Sequence, residues 1–321
     1  MRKVFVLLAC ACLDSACVPH AASSTEYTTH PMQLDNDDPD RNRVGRLDWR
    51  GGFEITSTDG RFGGLSGLHI TADGRRLTAV GDRGFWFQAE LRYREGRLDS
   101  LQAPALNEIK NSHGERVKGK NKDAESIAAR DGREMLVSFE RRHRIWRYQS
   151  TTSRAEPVAA PDDIRDLTNN GGVEATTYSC DGRLVLIAEK NKTRERHVQG
   201  WIQNNNGWES FTYNTVAGYR PTGAATLPNC QIMFLERSFS IVAGVSVRVT
   251  VVDAATLRAG ASITPREIAR FDFPVLVDNF EGIAARRSST GETLVYILSD
   301  DNYNPLQRTL LLMFALTPPT N

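Results

Sequence analysis

Gly172-Val173-Glu174-Ala175-Thr176-Thr177-Tyr178-Ser179-Cys180-Asp181-Gly182-Arg183-Leu184-Val185-Leu186-Ile187-Ala188-Glu189-Lys190 is the stretch from which the fold can be read. A run of small and β-branched residues leads to Asp-Gly, the dipeptide of tight hairpins, and then to five apolar residues too few for a helix. An acid and a base close the unit. The same plan recurs at Gly64-Leu65-Ser66-Gly67-Leu68, Asp123-Ala124-Glu125-Ser126-Ile127, Thr222-Gly223-Ala224-Ala225-Thr226 and Asn279-Phe280-Glu281-Gly282-Ile283. The turns that follow are Asp73-Gly74, Asp131-Gly132, Pro228-Asn229 and Thr290-Gly291. Aligning Ser66, Glu125, Glu174, Gly223 and Glu281 gives intervals of 59, 49, 49 and 58 residues. Such spacing suits a four-stranded propeller blade better than a helical repeat.

The expectation is therefore an all-β chain forming a single β-propeller of four-stranded blades. Five blades can be counted, and a sixth, poorly patterned one stays open. The last repeat runs out of chain after Thr309 to Leu316, so its outer strand is expected from Arg46 to Thr56, an N-terminal strand closing the ring.

The second strands, Arg76 to Val80, Glu134 to Phe139, Leu184 to Ala188, Ile232 to Leu235 and Thr293 to Leu298, run into a column of acids: Asp82, Glu140, Glu189, Glu236 and Asp300. The residues after them are Arg83, Arg141, Lys190, Arg237 and Asp301. In a hairpin the start of the first strand lies beside the end of the second, which places Glu125 by Glu140, Glu174 by Glu189 and Glu281 by Asp300. If the first strands line the central channel, these charges gather at one mouth. Packing does not explain repeated acids, since unpaired buried carboxylates are costly. Two readings remain: ion pairs that hold blades together, or a funnel for a hard cation such as Ca²⁺ or Mg²⁺ and an anionic ligand. The basic stretch from Lys110 to Lys122 leads into the second repeat and is expected over the same mouth, as a solvated loop or a lid.

Composition limits the classes of function. With 40 Lys+Arg and 39 Asp+Glu in 321 residues the net charge is +1, which offers no global attraction for nucleic acid, and none is expected as a partner. Arg2 and Lys3 before the apolar run Val4 to Leu13 read as a secretory leader over residues 1–22, so the mature chain is expected in the periplasm or outside the cell. Leu7-Leu8-Ala9-Cys10 looks like a lipobox; a lipid anchor at Cys10, Cys12 or Cys17 and unanchored secretion after cleavage near Ala21-Ala22 are both open. No later stretch is apolar for long enough to span a membrane as a helix. Residues 23–43, rich in Ser, Thr, Asp, Asn and Pro, read as a flexible tether to a domain over 44–317, and a monomer is expected. Cys180 and Cys230 could pair in an oxidising compartment or remain separate buried thiols.

Phe62-Gly63-Gly64-Leu65-Ser66-Gly67-Leu68, Gly81-Asp82-Arg83-Gly84, Leu235-Glu236-Arg237-Ser238-Phe239, Asp278-Asn279-Phe280-Glu281-Gly282-Ile283 and Leu298-Ser299-Asp300-Asp301-Asn302, in this order, resemble the bacterial phytase-like family, called esterase-like activity of phytase. The resemblance runs over about residues 44–316 and implies an exported β-propeller with phosphoesterase activity. Two departures stand out: Asp-Ala-Glu-Ser in the second repeat, where the family commonly has Asp-x-Glu-Gly, and Gly223 in place of an acid in the fourth. Other chemistries find little support. Gly64-Leu65-Ser66-Gly67-Leu68 lacks the last glycine of a nucleophile elbow, and the histidines lack zinc-site spacing.

The expected function is a metal-assisted phosphoesterase acting on a small phosphorylated molecule. Glu125, Glu174 and Glu281 are its catalytic candidates. Arg83, Arg141, Lys190 and Arg237 would bind substrate, and Asp82, Glu140, Glu189, Glu236 and Asp300 would hold the metal. The alternative is a non-catalytic propeller that binds a ligand or protein of the cell envelope.

Overall fold

The computed structural model describes residues 26–130, 134–190 and 196–318. The expected leader with Cys10, Cys12 and Cys17, and the Asp131-Gly132 turn, lie outside the described residues.

Five antiparallel sheets form a ring, a five-bladed propeller with almost no helix. The inner strands are Leu65–Ile70, Ala124–Arg130, Val173–Tyr178, Arg220–Thr226 and Phe280–Arg287, for blades 1 to 5. Each pairs with the second strand of its own blade: Arg76–Gly81, Glu134–Phe139, Leu184–Ala188, Gln231–Ser240 and Thr293–Ser299. Blade 5 takes its third strand, Leu310–Leu316, from the C-terminal part of the chain and its fourth, Leu47–Ser57, from the N-terminal part, so the ring closes as the repeat count required. The stretch read as a tether carries structure of its own. Tyr27–Pro31 pairs along the outside of Leu47–Ser57, and Leu34 is buried.

Blade packing explains why the second strands are so apolar. Five clusters of buried side chains separate neighbouring blades. In Leu184–Ala188 the alternating pleat sends Val185 and Ile187 into the cluster shared with blade 4, and Leu184, Leu186 and Ala188 into the one shared with blade 2. A strand with a neighbour on each face has no side for water.

Small residues draw the inner strands together on the axis. A Cβ on Gly67 would stand about 2.5 Å from the Ile127 nitrogen, and one on Gly282 2.7 Å from the Ser66 carbonyl oxygen. On Gly223 it would overlap the Glu281 carbonyl oxygen, which is why this position cannot carry an acid. Cys180 and Cys230 form a disulfide that ties the first hairpin turns of blades 3 and 4.

Candidate functional site: the charged mouth of the channel

Each inner strand carries one extra residue near its start. Glu125 lies between Ala124, paired with Phe139, and Ser126, paired with Ser138; Glu174 and Glu281 occupy the same kind of bulge. In blade 4 the bulged residue is Thr222, whose hydroxyl donates to the Phe280 carbonyl at 2.9 Å, and in blade 1 the bulge falls at Ser66 and Gly67. The aligned column is thus Ser66, Glu125, Glu174, Thr222 and Glu281, with Thr222 replacing Gly223. A bulge re-aims a side chain that the pleat would otherwise direct into a blade interface.

The second column holds in four blades and slips in the fourth. Leu65, Ala124, Val173 and Phe280, the residues before the bulges, pair with Gly81, Phe139, Ala188 and Ser299, one step ahead of Asp82, Glu140, Glu189 and Asp300. In blade 4 the corresponding Pro221 pairs with Glu236 itself. Arg237 therefore stands where the other blades place their acid. Glu236, expected as a metal ligand, faces the other way, because one residue of register reverses the side. It is fully buried, accepts from Tyr213 Oη at 2.8 Å and Thr250 Oγ1 at 2.9 Å, and pairs with Arg248 at 2.8 Å; Arg248 also holds Glu267 at 2.6 Å. This is a satisfied structural network between blades.

At the mouth the carboxylates cluster on blade 2. Oxygens of Asp123, Glu125 and Glu140 all lie within 4.8 Å of one another. Arg141 forms an ion pair with Asp123, and the Gly172 amide donates to Glu140 at 3.2 Å. Asp123 was not among the expected site residues, although the Asp-Ala-Glu order of the second repeat contained the signal. Burial, reinforced by Asp123 and Glu189, pushes Glu140 up to about 7. Burial with Asp123, Glu140, Glu281 and Asp82 around it raises Glu125 well above the ordinary carboxylate range. Asp82, raised to about 6 by burial and by Asp123, has a buried Oδ1 with no hydrogen-bond partner. A Cβ on Gly64 would overlap that oxygen, and Gly64 has φ +59°, so the Gly-Gly turn makes room for it.

Glu174, Glu281 and Asp300 extend the acidic ring. Burial and neighbouring acids raise Glu174 and Asp300 well above the usual range. Burial raises Glu281 too, against the pull of Arg237, the 3.0 Å bond from Asn279 Nδ2 and the 3.4 Å bond from Ser66 Oγ. Glu189 is held by Lys190 at 2.7 Å and by Arg220 of blade 4 at 3.4 Å. Arg237 reaches Glu281 only at 3.7 Å and keeps a buried Nε without a partner. Arg83 stacks on the Tyr303 ring, its Cζ 3.1 Å from the centroid.

The mouth is thus polarised: hard oxygen donors concentrate on blade 2, and blade 4, which is not its neighbour in the ring, contributes the bases Arg220 and Arg237 with Thr222. Three converging carboxylates, one orphaned aspartate oxygen and raised proton affinities fit a hard divalent cation, which would relieve the repulsion among them. A cavity of about 370 Å³ at the other end of the channel, lined in part by Leu68, Ile127, Ala224 and Ile283, has no carboxylate in its lining.

A sequence profile of the phytase-like family, described as esterase-like activity of phytase, matches residues 60–303. No curated protein sequence matches the chain. Among solved structures, similar folds include a luciferin-regenerating enzyme (8% identity, 81% of this chain and 96% of that one, TM-score 0.43). Another is the PQQ-bound aldose sugar dehydrogenase of Streptomyces coelicolor (10% identity, 90% and 98%, TM-score 0.46). A nidogen/laminin complex is a third (10% identity, 91% and 94%, TM-score 0.44). Likeness at this level carries no statement about activity.

Proposed function

From the premise that the chain belongs to the phytase-like family, esterase-like activity of phytase, we propose that it is an exported, metal-assisted phosphoesterase acting on a small phosphorylated molecule at the charged mouth. The observation that carries this reading is the arrangement of Asp123, Glu125 and Glu140 within 4.8 Å of one another, with the underpaired Arg237 on a non-adjacent blade.

Asp123, Glu125 and Glu140 would hold a hard cation, with Asp82 beside them. When bound, such an ion supplies charge neutralisation and a more acidic water. The chain's own groups account for the rest. Arg237, whose guanidinium meets Glu281 only at 3.7 Å, would turn its terminal donors to phosphoryl oxygens, and Glu281, fixed by Asn279 and Ser66, limits where the guanidinium can swing. Glu174 retains its proton to higher pH than an ordinary carboxyl group and is the group suited to protonate a leaving alkoxide. Arg83, stacked on Tyr303 at the blade 1 rim, suits a second anionic group of the substrate.

A second reading, a non-catalytic propeller that binds an envelope ligand, is favoured by the two bases already spent on Glu189. One experiment separates the two. Metal content of the purified protein is measured, and phosphomonoesters and phosphodiesters are screened with and without chelator. Bound divalent metal with chelator-sensitive turnover supports the phosphoesterase; neither metal nor turnover across the screen rejects it.

A further inference from the structure

Among the described residues, the large apolar side chains that are exposed share one end of the propeller. They are Val216, Phe239, Ile241, Val242, Phe273 and Leu306, with Ile241 and Val242 96% and 99% exposed. Inner strands begin at the charged mouth, so the segments joining an outer strand to the next inner strand, and those joining second to third strands, lie at that end. Val216 and Phe273 sit in connections of the first kind; Phe239, Ile241, Val242 and Leu306 sit at or within connections of the second. The opposite end carries polar turns such as Thr71 to Gly74, Ser179 to Gly182 and Ser288 to Glu292, and none of the six.

The most prominent feature is the hairpin of blade 4. Its second strand, Gln231–Ser240, continues past Arg237, and Ser240 still pairs with Gly244. Those added residues carry Ile241 and Val242 roughly 10 Å beyond the level of the ring at strand rise. Phe273 follows Phe271, which pairs with Val247 of the same hairpin. Across the mouth, the rim of blade 2 presents Lys118, Lys120 and Arg142, all exposed and without an ion pair among the described residues. The described chain also enters its first strand at this end, since Tyr27 pairs with Ser57 and packs on Phe62.

We propose that this end of the propeller is a docking face for an anionic lipid surface, with the charged mouth turned toward the bilayer. The spacing of the contacts selects the partner. Apolar tips on the blade 3 to blade 5 side and lysines on the blade 2 side stand on opposite sides of the mouth, so a partner broad enough to cover the whole end is the one that engages both. Apolar side chains at a projecting tip enter the boundary between headgroups and acyl chains, and unpaired lysines add attraction for anionic headgroups. The carboxylates of the ring are largely covered, with the Asp123, Glu189 and Glu281 side chains 11%, 6% and 13% exposed. The inference does not rest on the phosphoesterase reading, since it invokes no residue of the ring.

The core of the described domain lies between Leu34 and Ala315, so the test uses the chain from Ser23 onward, free of any acyl group. Cosedimentation is measured with vesicles of phosphatidylglycerol and phosphatidylcholine in equal parts, and with phosphatidylcholine alone. Binding is expected to the mixed vesicles, weakened by salt. Ile241→Asp with Val242→Asp should lower the partition coefficient at least about tenfold, as expected from burial of two such side chains. Lys118→Gln with Lys120→Gln should lower it only at low salt. Both double variants change exposed positions, so their melting temperatures should match the parent. Failure of the parent to bind mixed vesicles, or equal binding by the Asp variant, overturns the proposal. So does a lipid-independent dimer that the Asp variant abolishes, which would make the face a contact between copies. Absence of bound metal and of turnover across the phosphoester screen, with intact vesicle binding, would reject the phosphoesterase and leave the docking face standing.

Discussion

Glu140→Gln should stabilise the metal-free protein at alkaline pH and weaken its response to metal. Burial raises the Glu140 carboxyl from 4.5 to about 7, so its proton is held more tightly in the folded state than in the unfolded one. For a carboxyl shifted this way, no penalty exists below the unfolded value. As pH rises from about 4.5 to 7, the unfolded chain releases the proton first and stability falls. Above 7 the full cost is present, about 3 kcal/mol for this shift. Glutamine has no charge to desolvate, and its carbonyl oxygen can still accept from the Gly172 amide. Thermal unfolding in chelator at pH 8 should therefore place the variant roughly 6 °C above the parent, the difference shrinking to within about 2 °C at pH 5. Adding Ca²⁺ at pH 8 should raise the parent more than the variant, because a bound cation stabilises the ionised form that glutamine lacks. A variant melting below the parent in chelator at pH 8 would refute the reasoning, since it would show the charge to be held by favourable partners.

Arg248→Met, behind the matching position of blade 4, should act with the opposite sign: it leaves the buried Glu236 carboxylate without its charged partner and should cost about 3 kcal/mol in denaturant unfolding, with turnover per folded molecule unchanged. Arg237→Lys removes the planar donor fork from the ring and should lower kcat/KM about 100-fold in a phosphoester assay, with little change in melting temperature. Cys180→Ser with Cys230→Ser opens a bridge spanning 50 residues and should cost about 4 kcal/mol, read as a lower denaturant midpoint that reductant no longer changes. Gly223→Ala forces a Cβ onto the Glu281 backbone and should lower both the melting temperature and any activity, since the same strand positions Glu281.

The parts of this fold set by local chemistry were readable in the sequence. Asp-Gly turns, apolar second strands and a β-forming stretch ahead of the first repeat led to five blades closed by an N-terminal strand, and each has a direct cause in hairpin geometry or two-sided packing. The sequence column of acids nevertheless concealed a change of face. Glu236 and Arg237 follow Leu235 just as Glu189 and Lys190 follow Ala188, so counting from the second strand alone makes the blades equivalent. Register is decided by pairing with the first strand, and there the extra residue is Thr222, one position earlier than the count from the apolar run implies. The N-terminal stretch was misleading for a related reason: its polar composition describes side chains, whereas Tyr27–Pro31 is held by backbone bonds along the edge of blade 5.

That single slip determines the electrostatics of the mouth. Had blade 4 kept the common register, Glu236 would have joined Asp82, Glu140, Glu189 and Asp300, and Arg237 would have been left to the position taken by Arg83 and Arg141 at the rim. Instead the acid is consumed between blades by Arg248, Tyr213 and Thr250, and a guanidinium enters the ring. An unbroken ring of carboxylates would repel an anion on every side that a bound cation did not neutralise. With blade 4 reversed, positive donors face a hard oxygen cluster across the axis, the arrangement needed to hold a cation and a phosphoryl group at once. The near neutrality of the chain is thus the sum of opposed local charges, and the register of one hairpin decides which of them face the channel mouth.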